Sequence, residues 1–337
     1  MTFLKAAVIG LGVGEQHIEG FERHSACRVT VLCDIDHDRL AAVGARHPGR
    51  SLVSDPGQVL CDPNIDVVSI ASYDDAHFQQ VVTALEHGKH VFVEKPLCQT
   101  DVELDGIYRA LLRHRGLRLS SNLPLRRVPR FLDLRARILS GAMGALYHVE
   151  GDYNYGRLHK ITEGWRGALP SYSVMKGGGI HMVDLLLWFT GQRVTEVFAM
   201  GNRIASKGSQ VRFDDMVVAT LRFSGGAVGK VAANFGCVHP HFHRLSVYGT
   251  AGTFVNEPDG ARYHFSRDPG DPVELVDNLH SGTDKGAGVA AFVNAILTGE
   301  RPDVTEQDVF DAMSVCLAID RSNVEGAPCA VHYREIG

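Results

Sequence analysis

The feature that most constrains the fold of this 337-residue chain is an alternation of short apolar runs with amphipathic stretches over the first 120 residues. The apolar runs have too few polar residues for one face to lie in water, so each is predicted to be a strand buried on both sides. These runs are Leu4–Ile9, Arg28–Cys33, Ile65–Ala71 and His90–Val93. The stretches between them have apolar residues at helical spacing, and they are Gln16–Arg23, Asp38–Arg46, His77–His87 and Thr100–Arg113. Strands that alternate with helices at about 30 residues per unit predict a parallel, doubly wound α/β sheet.

The pattern changes after about residue 120, which predicts a second domain over residues 121–337. Several runs there alternate polar with apolar residues, as expected of antiparallel strands that pack on one side. They are Ala145–Tyr155, Val194–Asn202, Asp215–Phe223, Ala227–Phe235 and His243–Tyr248. A helix with a basic face is predicted at Pro129–Leu139, before the first of these strands. Helices that would cover the buried face of the sheet are predicted at Gly179–Thr190, Gly288–Leu297 and Thr305–Asn323. Residues Glu257–Lys285 follow no clear pattern.

The charge and composition of the chain disfavour nucleic acid and membranes as binding partners. The formal net charge is -5 and no basic block is present, so capture of nucleic acid or of an anionic membrane is disfavoured. No apolar run approaches the roughly 20 residues of a membrane helix, and the first residues do not resemble a signal peptide. The seven cysteines are scattered without a C-x-x-C pair, which is typical of reduced thiols. We therefore expect a cytoplasmic protein whose partner is a small molecule.

A glycine-rich loop predicts a dinucleotide site. The first strand ends in Gly10-Leu11-Gly12-Val13-Gly14-Glu15, and a helix follows. Glycines at such a turn let backbone N–H groups approach a pyrophosphate at the helix N-terminus, although Gly14 comes one position earlier than in the usual fingerprint. Asp34 ends the second strand, 24 residues after Gly10, where a carboxylate can bind the adenosine ribose. The cofactor-binding residues predicted here are Gly10, Gly12, Val13, Gly14, Asp34 and Ile35.

Asp34 would repel a 2′-phosphate, so NAD is favoured over NADP, while the nearby Arg39 leaves NADP as an alternative.

A candidate catalytic residue is Lys95 in Glu94-Lys95-Pro96, which follows the strand His90–Val93 at the ligand-binding end of the sheet. Beside a nicotinamide, a partly desolvated lysine is suited to polarise a substrate hydroxyl. A surface lysine without a role in chemistry is the alternative.

Four motifs in order resemble the glucose-fructose oxidoreductase and inositol dehydrogenase (Gfo/Idh/MocA) family. They are Gly10-x-Gly12, Glu94-Lys95-Pro96, the stretch from Gly177 to Asp184 that reads G-G-G-I-H-M-V-D, and the stretch from Val247 to Thr253. The resemblance implies a Rossmann domain followed by an α/β domain with a large, mostly antiparallel open sheet, through which a homodimer or homotetramer would form. It also implies NAD(P)-dependent oxidation or reduction at a secondary hydroxyl or ketone of a sugar, cyclitol or sugar nucleotide.

By the same resemblance, Lys95 and His181 are the catalytic residues, with Asp184 placed to orient the imidazole or bind a substrate hydroxyl. Inositol-dehydrogenase-like members have an aspartate four residues before this histidine, whereas this chain has Gly177. Either Lys95 and His181 then act as a pair, or Tyr153 or Tyr155 is the base. On the cofactor side, the resemblance implies Ser72, His77, Glu94 and Lys95, although Ser72-Tyr73-Asp74 departs from the T-P-N of many members.

Substrate contacts are expected just past the domain junction and after the first strand of the second domain. They are Asn122, Arg126, Arg127, Tyr155, Arg157, Lys160, Trp165, Arg166 and Asp184. Arginine presents a planar fork of donors, which favours a sugar nucleotide or an acidic sugar. Three histidines in His239-Pro240-His241-Phe242-His243 invite a metal interpretation, but no carboxylate or cysteine stands at useful spacing, so no metal is predicted. Two other functions stay open: an NAD-dependent glycosidase using transient oxidation, and a non-catalytic dinucleotide-sensing regulator.

Overall fold

The computed structural model describes residues 3–169, 171–276 and 284–336. The chain forms two compact units. The first comprises Met1–Pro124, Thr283–Met313 and Arg334–Gly337, and the second comprises Leu125–Gly282 and Ser314–Tyr333. No helix within the described residues is both long enough and apolar enough to cross a membrane.

The first unit contains a six-stranded sheet in the order β3-β2-β1-β4-β5-β6, and all its paired strands are parallel. The strands are β1 Leu4–Ile9, β2 Cys27–Cys33, β3 Ser51–Val53, β4 Val67–Ile70, β5 His90–Val93 and β6 Leu119–Ser121. The central strands β1, β4 and β5 are almost entirely buried, which is why their sequences lack polar alternation. The predicted parallel, doubly wound sheet is confirmed.

Helices connect these strands. They are α1 Glu15–Glu22, α2 His37–Arg46, α3 Pro56–Leu60, α4 His77–Glu86 and α5 Asp101–Arg113. Local sequence fixes several of their starts. Asp36 accepts a hydrogen bond from the backbone N–H of Arg39 at the start of α2, and Thr100 forms a capping box with Glu103 at the start of α5. Such caps satisfy N–H groups that have no partner within the helix.

One helix packs in a different unit from the one that the sequence predicted. The helix predicted at Gly288–Leu297 is α9, Lys285–Thr298, and it packs in the first unit rather than on the second sheet. Gly20 of α1 makes this possible, because a Cβ there would lie 2.4 Å from the carbonyl oxygen of Gly286. Val289, Phe292 and Val293 of α9 share one hydrophobic core with the first sheet. The predicted second domain, residues 121–337, is therefore wrong for residues 284–313 and 334–336, and the division falls after Pro124 rather than at 120.

The second unit contains a nine-stranded sheet in the order β14-β13-β12-β11-β7-β10-β9-β8-β15. Its strands are β7 Leu146–Asn154, β8 Val194–Asn202, β9 Met216–Phe223, β10 Val228–Asn234, β11 Phe242–Gly249, β12 Thr253–Glu257, β13 Gly260–His264, β14 Glu274–Val276 and β15 Cys329–Ala330. Among the described strands of this sheet, β7 and β10 pair in parallel and the other pairs are antiparallel. The predicted large, mostly antiparallel sheet is confirmed.

The helices grouped with this sheet are α6 Pro129–Leu139, α7 His159–Thr162, α8 Ile180–Thr190 and the part of α10, Glu306–Glu325, that begins at Ser314. Strand β7 alternates buried and half-buried residues along most of its length, so one face carries the core. Helix α8 lies against that face, because Gly151 of β7 leaves room for the side chain of Met182. This packing places the N-terminus of α8 near the end of β7.

Candidate cofactor and catalytic sites

The glycine loop after β1 has the geometry of a pyrophosphate site. Gly10 has a φ of +85°, and a Cβ there would lie 2.3 Å from the carbonyl oxygen of Ala71, so only glycine fits. Gly14 is equally restricted, since its Cβ would lie 2.2 Å from the carbonyl oxygen of Gly10. A Cβ on Gly12 would instead meet no atom within 4 Å. Open space above Gly12, at the start of α1, is what a pyrophosphate that approaches the backbone closely requires.

Asp34 lies at the end of β2 beside this loop. One carboxylate oxygen accepts a hydrogen bond of 2.7 Å from the backbone N–H of Leu11, and the other accepts one of 2.9 Å from the N–H of Asp36. The guanidinium of Arg39 lies 3.3 Å from the carboxylate and is 41% exposed. Ile35, the next residue along, is 65% exposed, which leaves an apolar surface beside the carboxylate. The carboxylate is thus fixed in direction while it keeps lone pairs for ribose hydroxyls.

Glu94 follows β5 and is held by a buried polar network. Its Oε1 lies 3.3 Å from Nε2 of His17 and accepts a hydrogen bond of 2.8 Å from the amide of Asn122. Nδ1 of His17 lies 2.7 Å from the hydroxyl of Ser69, and the ring is fully buried on α1. A ring protonated at Nε2 satisfies both contacts, because it donates to Glu94 and accepts from Ser69.

The charge of Glu94 is stabilised by its surroundings. Burial raises the pKa of Glu94, but the hydrogen bond with His17 and the nearby positive charges of Lys95 and Lys285 outweigh this effect, so the pKa lies well below its ordinary value. Lys95, half-buried after the carboxyl end of β5, therefore follows a residue that stays anionic. A cis peptide bond joins Lys95 to Pro96.

Several residues predicted to contact ligands are instead buried in the first unit. Asn122 is 2% exposed and its Nδ2 donates to Glu94, and its contact with substrate stays a prediction. His77 is fully buried, and its ring lies 2.6 Å from the carbonyl oxygen of Pro96 and 3.2 Å from that of Ser72. His77 connects two loops and does not line a surface. The hydroxyl of Ser72 is half-buried and donates to Gln80.

In the second unit, His181 is the second residue of α8 and is half-buried. A π-helix over Met175–Gly179 leads into α8, and such segments are frequent at functional sites. The His181 ring lies 5.9 Å from that of Tyr153 and 6.4 Å from that of His243, measured between centroids. Burial raises the pKa of the Tyr153 phenol well above its usual range, so this phenol is neutral and poorly suited as a base.

Arg126 and Asp184 form a buried ion pair in the second unit. The guanidinium of Arg126 donates hydrogen bonds of 2.6 to 3.1 Å to the carboxylate of Asp184, and the two residues are 4% and 1% exposed. The sequence assigned both residues to substrate binding. Because each neutralises the other away from solvent, the pair stabilises the contact between α8 and the 3₁₀ turn at Pro124–Arg127, and substrate binding by either residue stays a prediction.

The remaining predicted substrate residues are aromatic and basic side chains, which include two arginine–aromatic pairs. Tyr155 and Trp165 are half-buried, and the guanidinium of Arg157 lies 5.4 Å from the Tyr155 ring while that of Arg166 lies 4.5 Å from the Trp165 ring. Tyr155 also stacks on Tyr153 at 5.8 Å. Arg157 and Lys160 are exposed, whereas Arg127 is half-buried. Each of the two pairs, Tyr155 with Arg157 and Trp165 with Arg166, offers an aromatic face beside cationic donors.

Residues 4–122 match a family model described as an oxidoreductase family with an NAD-binding Rossmann fold, and residues 131–255 match the model of the GFO/IDH/MocA C-terminal domain. The chain belongs to the Gfo/Idh/MocA family. Inositol 2-dehydrogenase of Mycolicibacterium smegmatis is 36% identical over 235 residues, which cover 67% of this chain and 64% of that protein. The scyllo-inositol 2-dehydrogenase (NAD(+)) of Bacillus subtilis is 24% identical over 348 residues, which cover 96% and 95%.

Solved structures agree in fold. Levoglucosan dehydrogenase in complex with NADH superposes with a TM-score of 0.85 at 22% identity, covering 99% of this chain and 100% of that chain. This member of the Gfo/Idh/MocA family is therefore an oxidoreductase with an NAD-binding Rossmann domain. The residues present also fit the cofactor: the open space above Gly12 and the fixed carboxylate of Asp34 meet the requirements of a dinucleotide.

Sequence reasoning missed His17 and Tyr172, and it considered His243 only as a metal ligand. His17 is buried on the inner face of a helix, where an apolar residue was the simpler expectation. His241 and His243, once considered as metal ligands, have ring centroids 4.7 Å apart and pack around Tyr153. Within the described residues, no group of three or more His, Cys, Asp and Glu side chains is arranged to hold a metal ion.

Proposed function

We propose that this protein is an NAD-dependent dehydrogenase or reductase that acts on a secondary hydroxyl, or the matching ketone, of a sugar, cyclitol or sugar nucleotide. The observation that carries the proposal is the position of Lys95, which directly follows the carboxyl end of β5 in a sheet whose glycine loop and Asp34 fit a dinucleotide. Relatives named inositol 2-dehydrogenase and levoglucosan dehydrogenase support a polyhydroxylated substrate.

NAD binding would use backbone N–H groups around Gly12 and Val13 for the pyrophosphate and the carboxylate of Asp34 for the ribose. Gly10 and Gly14 shape that loop, and the exposed face of Ile35 offers an apolar surface to the adenine. Bound NAD supplies the acceptor of the hydride. Asp34 disfavours a 2′-phosphate, so NAD is the proposed cofactor, and NADP is the weaker alternative because of Arg39.

The step assigned to the protein's own side chains is the transfer of the proton of the substrate hydroxyl. We assign to the Lys95 ammonium a hydrogen bond to the reacting oxygen, where it stabilises alkoxide character during oxidation. His181 would accept the hydroxyl proton, since an imidazole titrates near neutral pH. Glu94, whose pKa is lowered in part by its hydrogen bond with His17 and by the charge of Lys95, places a carboxylate beside Lys95 in the sequence.

The surface around Tyr155 and Trp165 supports a sugar-like substrate, because aromatic faces pack on the apolar faces of sugar rings. Arg157 and Arg166 add donors that favour a substrate with a phosphate or carboxylate. These two features together admit a neutral cyclitol as well as a sugar nucleotide or acidic sugar.

The test is a panel of cyclitols, anhydrosugars, free sugars, sugar acids and sugar nucleotides, each incubated with NAD and with NADP while NADH or NADPH absorbance is followed. We expect turnover of at least one member of the panel with NAD, and faster turnover with NAD than with NADP. The Lys95→Met variant should retain NAD affinity by calorimetry while its turnover falls about 100-fold or more. NAD binding without turnover of any member of the panel would contradict the proposal.

A non-catalytic regulator that senses a dinucleotide is the alternative function, and Gly177 favours it. Gly177 stands where related dehydrogenases have an aspartate, which favours a regulator that binds NAD without chemistry. Such a regulator would bind NAD in calorimetry and give no product with any panel member. It would also tolerate Lys95→Met without any change in its measurable properties.

A further inference from the structure

The residue that occupies the space beside Gly177 is Tyr172. A Cβ built on Gly177 would lie 1.7 Å from the hydroxyl oxygen of Tyr172 and 2.4 Å from its Cζ. No side chain of any size can therefore stand at position 177 while Tyr172 keeps its place. The phenol hydroxyl lies where the first atoms of a residue-177 side chain would be.

This location faces His181. Gly177 precedes His181 by four residues, and the π-helix Met175–Gly179 continues directly into α8. Side chains three or four residues apart along a helix lie on the same face, with Cβ atoms about 5 to 6 Å apart. A hydroxyl at the position of a residue-177 side chain therefore lies on the helix face that His181 shares.

Tyr172 is held firmly in this location. Its ring packs at 5.2 Å against Phe213 and at 6.3 Å against Phe235, and the guanidinium of Arg166 lies 5.8 Å from it. Only 9% of Tyr172 is exposed. A hydroxyl carried by a ring packed in this way points in a fixed direction, as a positioning group must.

The segment between Tyr172 and His181 is anchored as well. Ser173 donates a hydrogen bond of 2.7 Å to the carboxylate of Asp320 on α10, and the ammonium of Lys176 lies 3.2 Å from the same carboxylate. The backbone N–H of Lys176 donates to the hydroxyl of Ser173 at 3.1 Å. These contacts fix the π-helix, so the relation between Tyr172 and the start of α8 is rigid.

We propose that the Tyr172 hydroxyl takes the place of the side chain missing at Gly177 and is a positioning residue for His181. The inference rests on the proposed function, because it assigns Tyr172 to the group that would accept the substrate proton. A phenol is neutral at working pH, so it orients the imidazole by hydrogen bonding without the electrostatic attraction that a carboxylate exerts on an imidazolium. Within the part of the chain that the structure describes, the titratable side chains of Tyr153 and His243 also have rings that lie near that of His181.

The first measurement needs no substrate. The His181 imidazole is assigned in NMR spectra by comparison with the His181→Gln variant, and its titration is followed in the wild type and in Tyr172→Phe. Tyr172→Phe keeps the packed ring and removes only the hydroxyl. We expect the midpoint of the His181 titration to move by about 0.5 pH unit or more. Tyr263→Phe, which also removes a buried hydroxyl of the second unit, is the matched control and should leave His181 unchanged.

The second measurement is kinetic and uses the substrate found in the panel. Tyr172→Phe should lower kcat about tenfold with KM within about twofold of the wild type. A double variant, Tyr172→Ala with Gly177→Asp, removes the phenol and places a carboxylate on the helix at position 177. The midpoint of its His181 titration should be about one pH unit higher than that of Tyr172→Ala alone.

The outcomes separate the two proposals. A shifted His181 titration without turnover of any panel member supports the role of Tyr172 and contradicts the proposed function. Turnover of a panel member, with an unchanged His181 titration and unchanged kcat in Tyr172→Phe, overturns the role of Tyr172 and leaves the proposed function standing. If Tyr172→Phe fails to fold, the double variant decides: a His181 titration equal to that of Tyr172→Ala overturns the inference.

Discussion

Replacing each of two glycines in the loop after β1 by alanine should separate cofactor binding from folding. A Cβ on Gly12 meets no atom within 4 Å, so Gly12→Ala should change the free energy of unfolding by no more than about 0.5 kcal/mol. That same methyl group fills the space a pyrophosphate needs. Since about 1.4 kcal/mol of lost binding corresponds to a tenfold change, we expect the Kd for NAD to rise at least about tenfold.

Gly10→Ala should give the opposite result. With a φ of +85°, an alanine at this position loses about 1 to 2 kcal/mol from backbone conformation alone. Its Cβ would also lie 2.3 Å from the carbonyl oxygen of Ala71, which forces the loop to shift. The total loss of stability should therefore exceed about 2 kcal/mol.

The assay combines thermal or urea unfolding without cofactor and isothermal titration with NAD for the wild type and both variants. Gly12→Ala should keep the wild-type stability and lose NAD affinity, while Gly10→Ala should lose stability. Unchanged NAD affinity in a fully folded Gly12→Ala would refute the assignment of this loop to the pyrophosphate.

Three further predictions concern the rest of the molecule. Asp184→Ala should cost about 3 to 5 kcal/mol because it leaves Arg126 charged and buried, whereas the double replacement Arg126→Met with Asp184→Leu should cost much less; equal losses in urea unfolding would argue against a buried pair. The lowered pKa of Glu94 means that its contribution to stability is present above about pH 4.3 and is lost as the pH falls, so the destabilisation caused by His17→Phe should be largest near neutral pH and shrink below about pH 4 in a series of melting curves. The second sheet, with several large apolar side chains exposed, should mediate a homodimer or homotetramer; a monomer mass in light scattering at micromolar concentration would count against it.

Much of the fold could be predicted because its elements have strong local signals. Helix α6, Pro129–Leu139, and strand β8, Val194–Asn202, have the predicted bounds, and the central strands of the first sheet agree to within two residues at each end. Strands β3, β6 and β14 contain three residues each, which is too short for a periodic pattern to appear. The place of α9 depends on the close approach of Gly20 to Gly286, and no local pattern encodes a contact between such distant positions.

The sequence predicts those residues of the candidate site that have a clear local signal, and it does not predict how side chains pair. The types and spacing of residues mark Gly12, Asp34 and Lys95, because each stands at the end of a strand whose pattern is clear. Sequence spacing does not reveal partners, so the pairing of Arg126 with Asp184, 58 residues apart, appears only in the structure. The same limit applies to Gly177, whose missing side chain is visible in the sequence while the group that fills its place is not.

The central claim is that Lys95 and His181 act on the same substrate oxygen. A double-mutant cycle with Lys95→Met, His181→Gln and the double variant measures this most directly, using kcat/KM for the substrate identified in the panel. Groups that act as a unit are strongly non-additive, so the double variant should be about as slow as the slower single variant. A double variant whose loss equals the product of the two single losses would contradict the account.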